Sequence, residues 1–513
     1  MSKNAEFTKL RAILFPIHND ELKKFLPMGI ILLLVLFNYT VLRNTKDALI
    51  ATGAGAGVEA IPYLKSIFVM SSAVVFVILY TKLANIFSAE KLFYGIVSVF
   101  LIFFGLFSYV LYPNLDVLHP NLDLVHSLQA EFPRLKFLFS VWGVWTYSLF
   151  YIMSELWGSA MISLLFWQFA NEIIRSEEAK RFYPLFVLIG NLALLLSGEV
   201  VSTFSDIRES LPADVDAWGI SLKYLAIAII GAGFLAMALY RWMHTHVLID
   251  PKYYDAAGPK KEKKQKPKMG MWESFVYIFS NPYIGLIALL VLSYGMSINL
   301  VEFIWKKQLA IHYAGDPNGY NAFMGRFSQA TGLTTILVIF LTKGVVRKFG
   351  WFVGAVITPV ILAVTSAIFF TLILMEDLMS PLIAGLGLSA AFSATFIAIL
   401  VGAVQNFLTK AAKYSFFDPT KEMAYIPLDQ ELKVKGKAVV DVIGGRMGKA
   451  LGGYTIMFLF FITAATDGMV LAPYLGIFIG LVVLAWIVGV VTLNKRYTNL
   501  VAAQALEKAK ETA

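Results

Sequence analysis

Apolar residues in this chain fill whole windows of about twenty residues, the length an α-helix needs to cross a hydrocarbon core of roughly 30 Å. Such windows fall at 25–45, 61–82, 91–112, 137–171, 181–203 and 219–242, then at 280–306, 320–343, 351–374, 382–410, 438–463 and 471–493. That makes twelve candidate spans, and 137–171 is long enough for one bent helix or a broken one. The predicted fold class is therefore an all-α polytopic membrane protein with about 12 transmembrane helices.

The polar stretches between the spans alternate in charge. One set carries Lys23 and Lys24, Lys82 and Lys91, Arg175, Lys180 and Arg181, Lys343, Arg347 and Lys348, and the run Lys410 to Lys437. The other carries Asp116, Asp123, Asp206, Asp214, Asp216, Asp316, Glu376, Asp377 and Asp467. Basic loops stay on the cytoplasmic side, so both termini are expected there. Between the sixth and seventh spans lies Asp250 to Lys268 with the run KKEKKQKPK, which reads as a solvated tether joining two halves. The expected organisation is a cytoplasmic segment 1–24, a six-helix bundle 25–243, a basic linker 244–270, a second bundle 271–494 and a tail 495–513.

The halves read as parallel repeats. At a constant offset of 261 residues Asn38 aligns with Asn299, Lys46 with Lys307, Lys65 with Arg326, and Thr81-Lys82 with Thr342-Lys343. Spacing held without a gap over some forty residues predicts two pseudo-symmetric six-helix units, an internal symmetry found in transporters.

Composition agrees with the pattern. The 513 residues are 58% hydrophobic and only 15% charged, with a mean hydropathy of +0.70, whereas soluble domains carry charge on roughly a quarter of their residues. The net charge of +9 follows from basic cytoplasmic loops and needs no nucleic-acid partner. With no cysteine at all, disulfides, thiolate catalysis and cysteine metal sites are excluded together. The polar N-terminal stretch leads straight into an ordinary span with no cleavage motif or transit region, so an organelle-targeted precursor is not expected.

Chemistry is concentrated where lipid should exclude it. A charge inside a span costs at least about 2.5–3.5 kcal/mol on insertion scales, so each such group needs a partner or a watery cavity. The first span ends NYTVLRNTKDAL, which puts Arg43 and Lys46 three apart on one helical face. The seventh carries Glu302 and Lys306 at i,i+4, the spacing of a simple intrahelical pair, and Glu155 and Glu199 sit in the fourth and fifth. The eleventh reads DVIGGRMGKALGG, with Asp441, and with Arg446 and Lys449 sharing a face. Lys449 lies about 18 Å along the helix from Lys437 at 1.5 Å per residue, well inside the hydrocarbon. By the repeat, Lys307 and Arg326 join the candidate set. Lys65, Lys82 and Lys343 lie near span ends and suit snorkelling at least as well as function.

Converging cations suit a polyanion, Arg through bidentate contacts to phosphate and Lys as a point charge. The glutamates keep an empty cavity balanced, or gate it by pairing with a lysine in one of two states. Tyr151, Trp157 and Trp167 are candidates for stacking a base, although such rings more often pack. The glycines Gly444, Gly445, Gly448, Gly452 and Gly453 predict a close approach of another helix or a ligand.

Hydrolytic machinery is not expected. GGRMGK lacks a P-loop's first glycine, since Ile443 takes that place, and Ala450 stands where Ser or Thr should follow Lys449. GAGAG at Gly53 to Gly57 is a flexible loop. All six histidines lie in loops or near span ends, which leaves no intramembrane His/Cys metal or acid–base site. Neither an enzyme nor a cofactor is expected.

The segments NYTVLRNTKDALI, EAIPYLK, SELWGS with FWQFANEI, EAKRFYPLF, INLVEFIWKKQL and KYSFFDPTKEMAYIPLDQELKVKGKAVVDVIGGRMGK together resemble the nucleotide transporter (ATP:ADP antiporter) family of obligate intracellular bacteria and plastids. The likeness runs from about Leu10 to Asn494. It implies a major-facilitator-like bundle in a bacterial inner membrane that exchanges external ATP for internal ADP, with phosphate in many members, by alternating access. Proton-coupled importers of other nucleotides and an NAD carrier share the scaffold and stand as the alternative. The family's charges map by motif onto Lys46, Glu155, Glu302 and either Lys437 or Lys449. The nucleotide-binding residues expected from pattern and resemblance together are Arg43, Lys46, Glu155, Glu302, Lys307, Arg326, Arg446 and Lys449. The expected partners are ATP, ADP and phosphate as cargo and the lipid bilayer, with no nucleic acid, and the chain is expected to act as a monomer.

Overall fold

A computed structural model of the chain describes residues 11, 15–254, 280–342, 344–385, 393–429, 432, 436–437, 440 and 445–512. Most of the linker, Lys343, Asp441 and Gly444 lie outside the described residues, and so does the side chain of Arg446. Among the described residues eleven helices are long and apolar enough to cross a membrane. They are α1 Asn19–Thr52, α2 Ala60–Ala84, α3 Ala89–Leu118, α4 Trp145–Ile173, α5 Glu177–Ser210, α6 Ala217–His246, α7 Pro282–His312, α8 Pro317–Leu341, α9 Val345–Leu374, α10 Ala394–Ala424 and α12 Gly468–Leu506. A shorter helix, α11 Gly445–Thr463, stands at the expected eleventh span.

Two expectations change. The long fourth window breaks at Val144, whose φ of −117° and ψ of 44° leave the helical region, so Lys136–Gly143 is a separate short helix and the crossing begins at Trp145. The tenth window slides along the chain. Its helix begins at Ala394 and runs on through Lys410 and Lys413 to Ala424, so these lysines lie in a span and not in a basic loop. Helix formers such as Ala411 and Ala412 carry the backbone on, and the charges on α10 are accommodated because Lys413 pairs with Asp418 and Lys410 rests over the Phe327 ring. The offset of 261 places α1 on α7 to within a few residues at each end.

The described hydrogen bonds and ion pairs between α1–α6 and α7–α12 all fall in the part of the bundle remote from the chain termini. There α5 and α8 approach to backbone contact: a Cβ on Gly198 would lie 2.5 Å from the Gly325 carbonyl oxygen. Such contact needs small residues on both helices. Asn318 donates to the Ser205 carbonyl at 2.9 Å and Asn321 to the Ser205 hydroxyl at 3.0 Å, sewing the same seam. A second seam joins α2 to α11, where Tyr454 donates to the Ser66 carbonyl at 3.0 Å and Gly453 faces the Ser66 side chain. The bundle is thus pinned at one end.

Candidate functional site

Six charges form a continuous chain just below the pinned end. Lys46 on α1 holds Glu155 of α4 at 3.0 Å and the neighbouring Asp47 at 2.8 Å. The other oxygen of Asp47 takes Lys306 of α7 at 2.8 Å. Lys306 also holds Glu302 one turn back at 2.9 Å, and Glu302 accepts from Arg43 of α1 at 3.2 Å. Three cations and three carboxylates balance, which is how buried charge is usually kept. The Tyr151 ring centroid lies 3.7 Å from the Lys46 ammonium, a cation–π contact.

Beside this neutral chain lie cations of another kind. Lys65 of α2, Lys410 of α10 and Lys449 of α11 form no ion pair among the described residues. Lys410 rests over the Phe327 ring at 5.0 Å. Lys65 and Lys449 line a pocket with Asn299, Glu302 and Lys306, so cations from both sets of six helices face one chamber. Lys449 is solvent-exposed although it sits in a span, and Lys65 and Lys410 are half-buried, so water reaches all three. Gly448 sets the position of Lys449: a Cβ at Gly295 would lie 2.9 Å from its Cα, and only glycines allow α7 and α11 to run that close. Lys413 is the next cation along α10, paired with Asp418 at 2.6 Å.

Of the expected residues, the structure brings Arg43, Lys46, Glu155, Glu302 and Lys449 together. Lys307 and Arg326 lie elsewhere. Adjacent helical residues diverge by about a quarter-turn, so Lys306 takes the place in the cluster while Lys307 turns to Glu59 at 2.6 Å and Asp467 at 2.8 Å. Glu59 also accepts from the Gly468 backbone N–H at 2.9 Å, which ties the start of α2 to the start of α12. Arg326 pairs with Asp206 at 2.6 Å across the α5–α8 seam, and over half of its side chain is exposed. Glu199 accepts from Gln329 at 2.6 Å in the same seam. Two of the three aromatic candidates pack as ordinary core: Trp157 is buried and donates to the Val35 carbonyl at 3.1 Å, while Trp167 lies edge-on to Tyr183.

Asp47, Lys65, Lys306, Lys410 and Lys413 belong to the charged region although residue pattern alone left them out of the site. Asp47 carried a signal, a carboxylate next to a lysine deep in a span. Lys410 and Lys413 carried none until the tenth helix was placed.

The sequence profile described as "TLC ATP/ADP transporter" matches residues 1–497. The chain belongs to that family. It is 46% identical to the "ADP,ATP carrier protein 1" of Chlamydia muridarum, over 100% of this chain and 96% of that one. It is 42% identical to the protein of the same name from Rickettsia bellii, over 96% of this chain and 97% of that one. The chloroplastic "ADP,ATP carrier protein 1" of Arabidopsis thaliana is 42% identical over 98% of this chain and 78% of its own length. Among solved structures, a point mutant of the nucleoside transporter NupG superposes with a TM-score of 0.53 at 11% identity, covering 93% of this chain and 99% of that one. A bacterial homologue of the iron transporter ferroportin superposes at 0.54 and 12% identity, covering 93% and 98%. These likenesses show the major-facilitator-like fold, as expected from the repeat and the resemblance. Lys46, Glu155 and Glu302, expected from the resemblance, lie in one chain of charges.

Proposed function

We propose that this chain is a secondary-active antiporter that takes up external ATP in exchange for internal ADP by alternating access, with phosphate able to accompany ADP. The observation that carries the reading is the pair of charge populations side by side: a self-neutralised chain at the seam and three cations left without carboxylates among the described residues, of which Lys65 and Lys449 line one pocket with Glu302 and Lys306 while Lys410 rests over Phe327. Each unpaired cation inside a membrane costs some 2.5–3.5 kcal/mol or more, and a di- or triphosphate entering the chamber offsets that cost. Lysines suit transient capture, since they grip phosphate as point charges without a rigid bidentate fork. The chain carries its cargo unchanged, without catalysis or a cofactor.

With both termini in the cytoplasm of a bacterial cell, the pinned end faces outward and the chamber is reached from inside. The bundles 25–243 and 271–494 are then the two rocking bodies, 244–270 their tether, and a single chain suffices. Labelled ATP uptake into proteoliposomes tests this: uptake is expected only with ADP trapped inside and unchanged by a protonophore. Uptake that needs no trapped nucleotide and collapses with the proton gradient would overturn exchange in favour of proton symport. A preference for NAD or another nucleotide in the same assay would overturn the choice of cargo.

A further inference from the structure

The six-charge chain has a property that substrate binding does not require. It crosses between the two six-helix sets at two points, Asp47 to Lys306 and Arg43 to Glu302. The other contacts, Lys46 with Glu155 and Lys306 with Glu302, stay within one set. The two crossings differ in burial. Arg43 is 30% exposed in its side chain, whereas Asp47 is fully buried and Lys306 3% exposed. Opening the pinned end must separate α1 from α7 and so break both crossings. After the break Arg43 meets water, but Asp47 keeps Lys46 alone, and Lys306 loses one of its two carboxylates in a site with almost no solvent.

We propose that Asp47 is a positioning residue that ties the conformational switch to the presence of cargo, so that the empty carrier does not return. The inference rests on the exchange reading above. In the empty carrier the buried Asp47–Lys306 bridge resists separation. With nucleotide in the chamber, phosphate oxygens next to Lys306, which lines the same pocket as Lys65 and Lys449, take over as its counter-charge and the bridge can part. A ligand moves a two-state equilibrium only through differential affinity, and here the differential lies in which anion Lys306 holds. Asp47 touches no cargo; it holds Lys46 and Lys306 together and sets what must replace it.

The test uses the full chain in proteoliposomes. In the Asp47→Asn variant, Lys46 keeps Glu155 and Lys306 keeps Glu302, both within their own sets, and only the partly exposed Arg43 crossing remains. Labelled ADP trapped inside is then expected to leak into nucleotide-free buffer roughly five- to fifty-fold faster than from the parent, in the range of ordinary site-to-site couplings. Half-saturation for ATP should move much less, and Asp47→Glu should restore coupling. A purely structural role would lower the amount of active protein without uncoupling what remains. Should Asp47→Asn fail to yield monodisperse protein, the Asp47→Asn, Lys306→Gln double variant leaves two cations and two carboxylates in balance and carries the same expectation for leak, while its half-saturation for ATP rises because Lys306 lines the chamber. Leak equal to the parent's in a variant that still exchanges overturns the role of Asp47. Absence of nucleotide exchange in the parent itself overturns the function it rests on, so the two failures are distinct.

Discussion

Lys307→Gln removes the cation that joins Glu59 to Asp467 at the pinned end. Glu59 is 7% exposed in its side chain and Lys307 15%, while Asp467 is 46% exposed. Stripping one partner from a buried pair costs about 3–5 kcal/mol, and an exposed pair about 0–1 kcal/mol. Glu59 retains the Gly468 N–H and Lys307 is not wholly dry, so about 2 kcal/mol is the reasonable figure for the closed state. Opening returns Glu59 to water and recovers that loss, so the equilibrium shifts toward the open outer end by about thirtyfold at 1.4 kcal/mol per decade. The cysteine-free sequence supplies the reporter. Asn321 is fully buried in the α5–α8 seam, so an Asn321→Cys thiol reacts with an impermeant maleimide only while that end is open. Labelling from outside should accelerate about thirtyfold in the Lys307→Gln background, and apparent external affinity for ATP should tighten because the binding-competent fraction has grown. A labelling rate within about twofold of the parent would refute the assignment of this triad as a closing device, since the cost of orphaning Glu59 would then not separate the two states.

Replacing Lys65, Lys410 or Lys449 singly by Gln should raise the half-saturation concentration for ADP about ten- to hundredfold, the loss of one charge-assisted contact of about 1.5–3 kcal/mol, with a smaller effect on AMP; counter-exchange kinetics measure it. Gly325→Val puts a Cβ 2.7 Å from the Gly198 carbonyl oxygen and 2.8 Å from the Ser202 nitrogen, contacts with backbone that cannot yield. It should therefore disfavour the closed seam by about 1–3 kcal/mol and speed outer labelling of Asn321→Cys. Lys24→Met strands Glu178, which Lys24 holds at 2.8 Å in a buried pair far from the chamber. A lower melting temperature in detergent, with unchanged half-saturation for ATP, is the expected outcome.

What could be read from the chain in advance follows from what a sequence records. Hydrophobic windows fix which segments must be helices in lipid, so the number and repeat of the spans were visible from residue order alone. Helix ends were less so. Nothing in the run from Ser393 to Ala424 marks where lipid gives way to a watery chamber, and Lys410 therefore read as a loop lysine. Within the site, periodicity found Arg43 and Lys46 on one face, and the i,i+4 rule found the Glu302–Lys306 pair seen at 2.9 Å. It misjudged which of two adjacent lysines, Lys306 or Lys307, faces inward, because that choice depends on the rotation of α7 against α1, set by packing over its whole length. Asp47 escaped for the same reason: its partner lies 259 positions away, and no local rule connects them.

The repeat, finally, is a repeat of scaffold and not of charge. Moving the site residues of α1 and α7 by 261 positions, Asp47 falls on Gln308, Arg43 on Ile304, Glu302 on Val41 and Lys306 on Thr45. Lys46 and Lys65 keep their charge at Lys307 and Arg326, yet those side chains serve the closing triad and the α5–α8 seam. The first half thus supplies the bridging Asp47 and Glu155, and the second supplies two of the three cations that have no carboxylate partner among the described residues. A cargo with its own two-fold symmetry would be met equally by both halves. A nucleotide, with all its charge at one end and a neutral base at the other, presents different chemistry to each half. Duplicated helices whose polar residues have diverged suit such a cargo, because the rocking motion needs the halves alike while recognition needs them different.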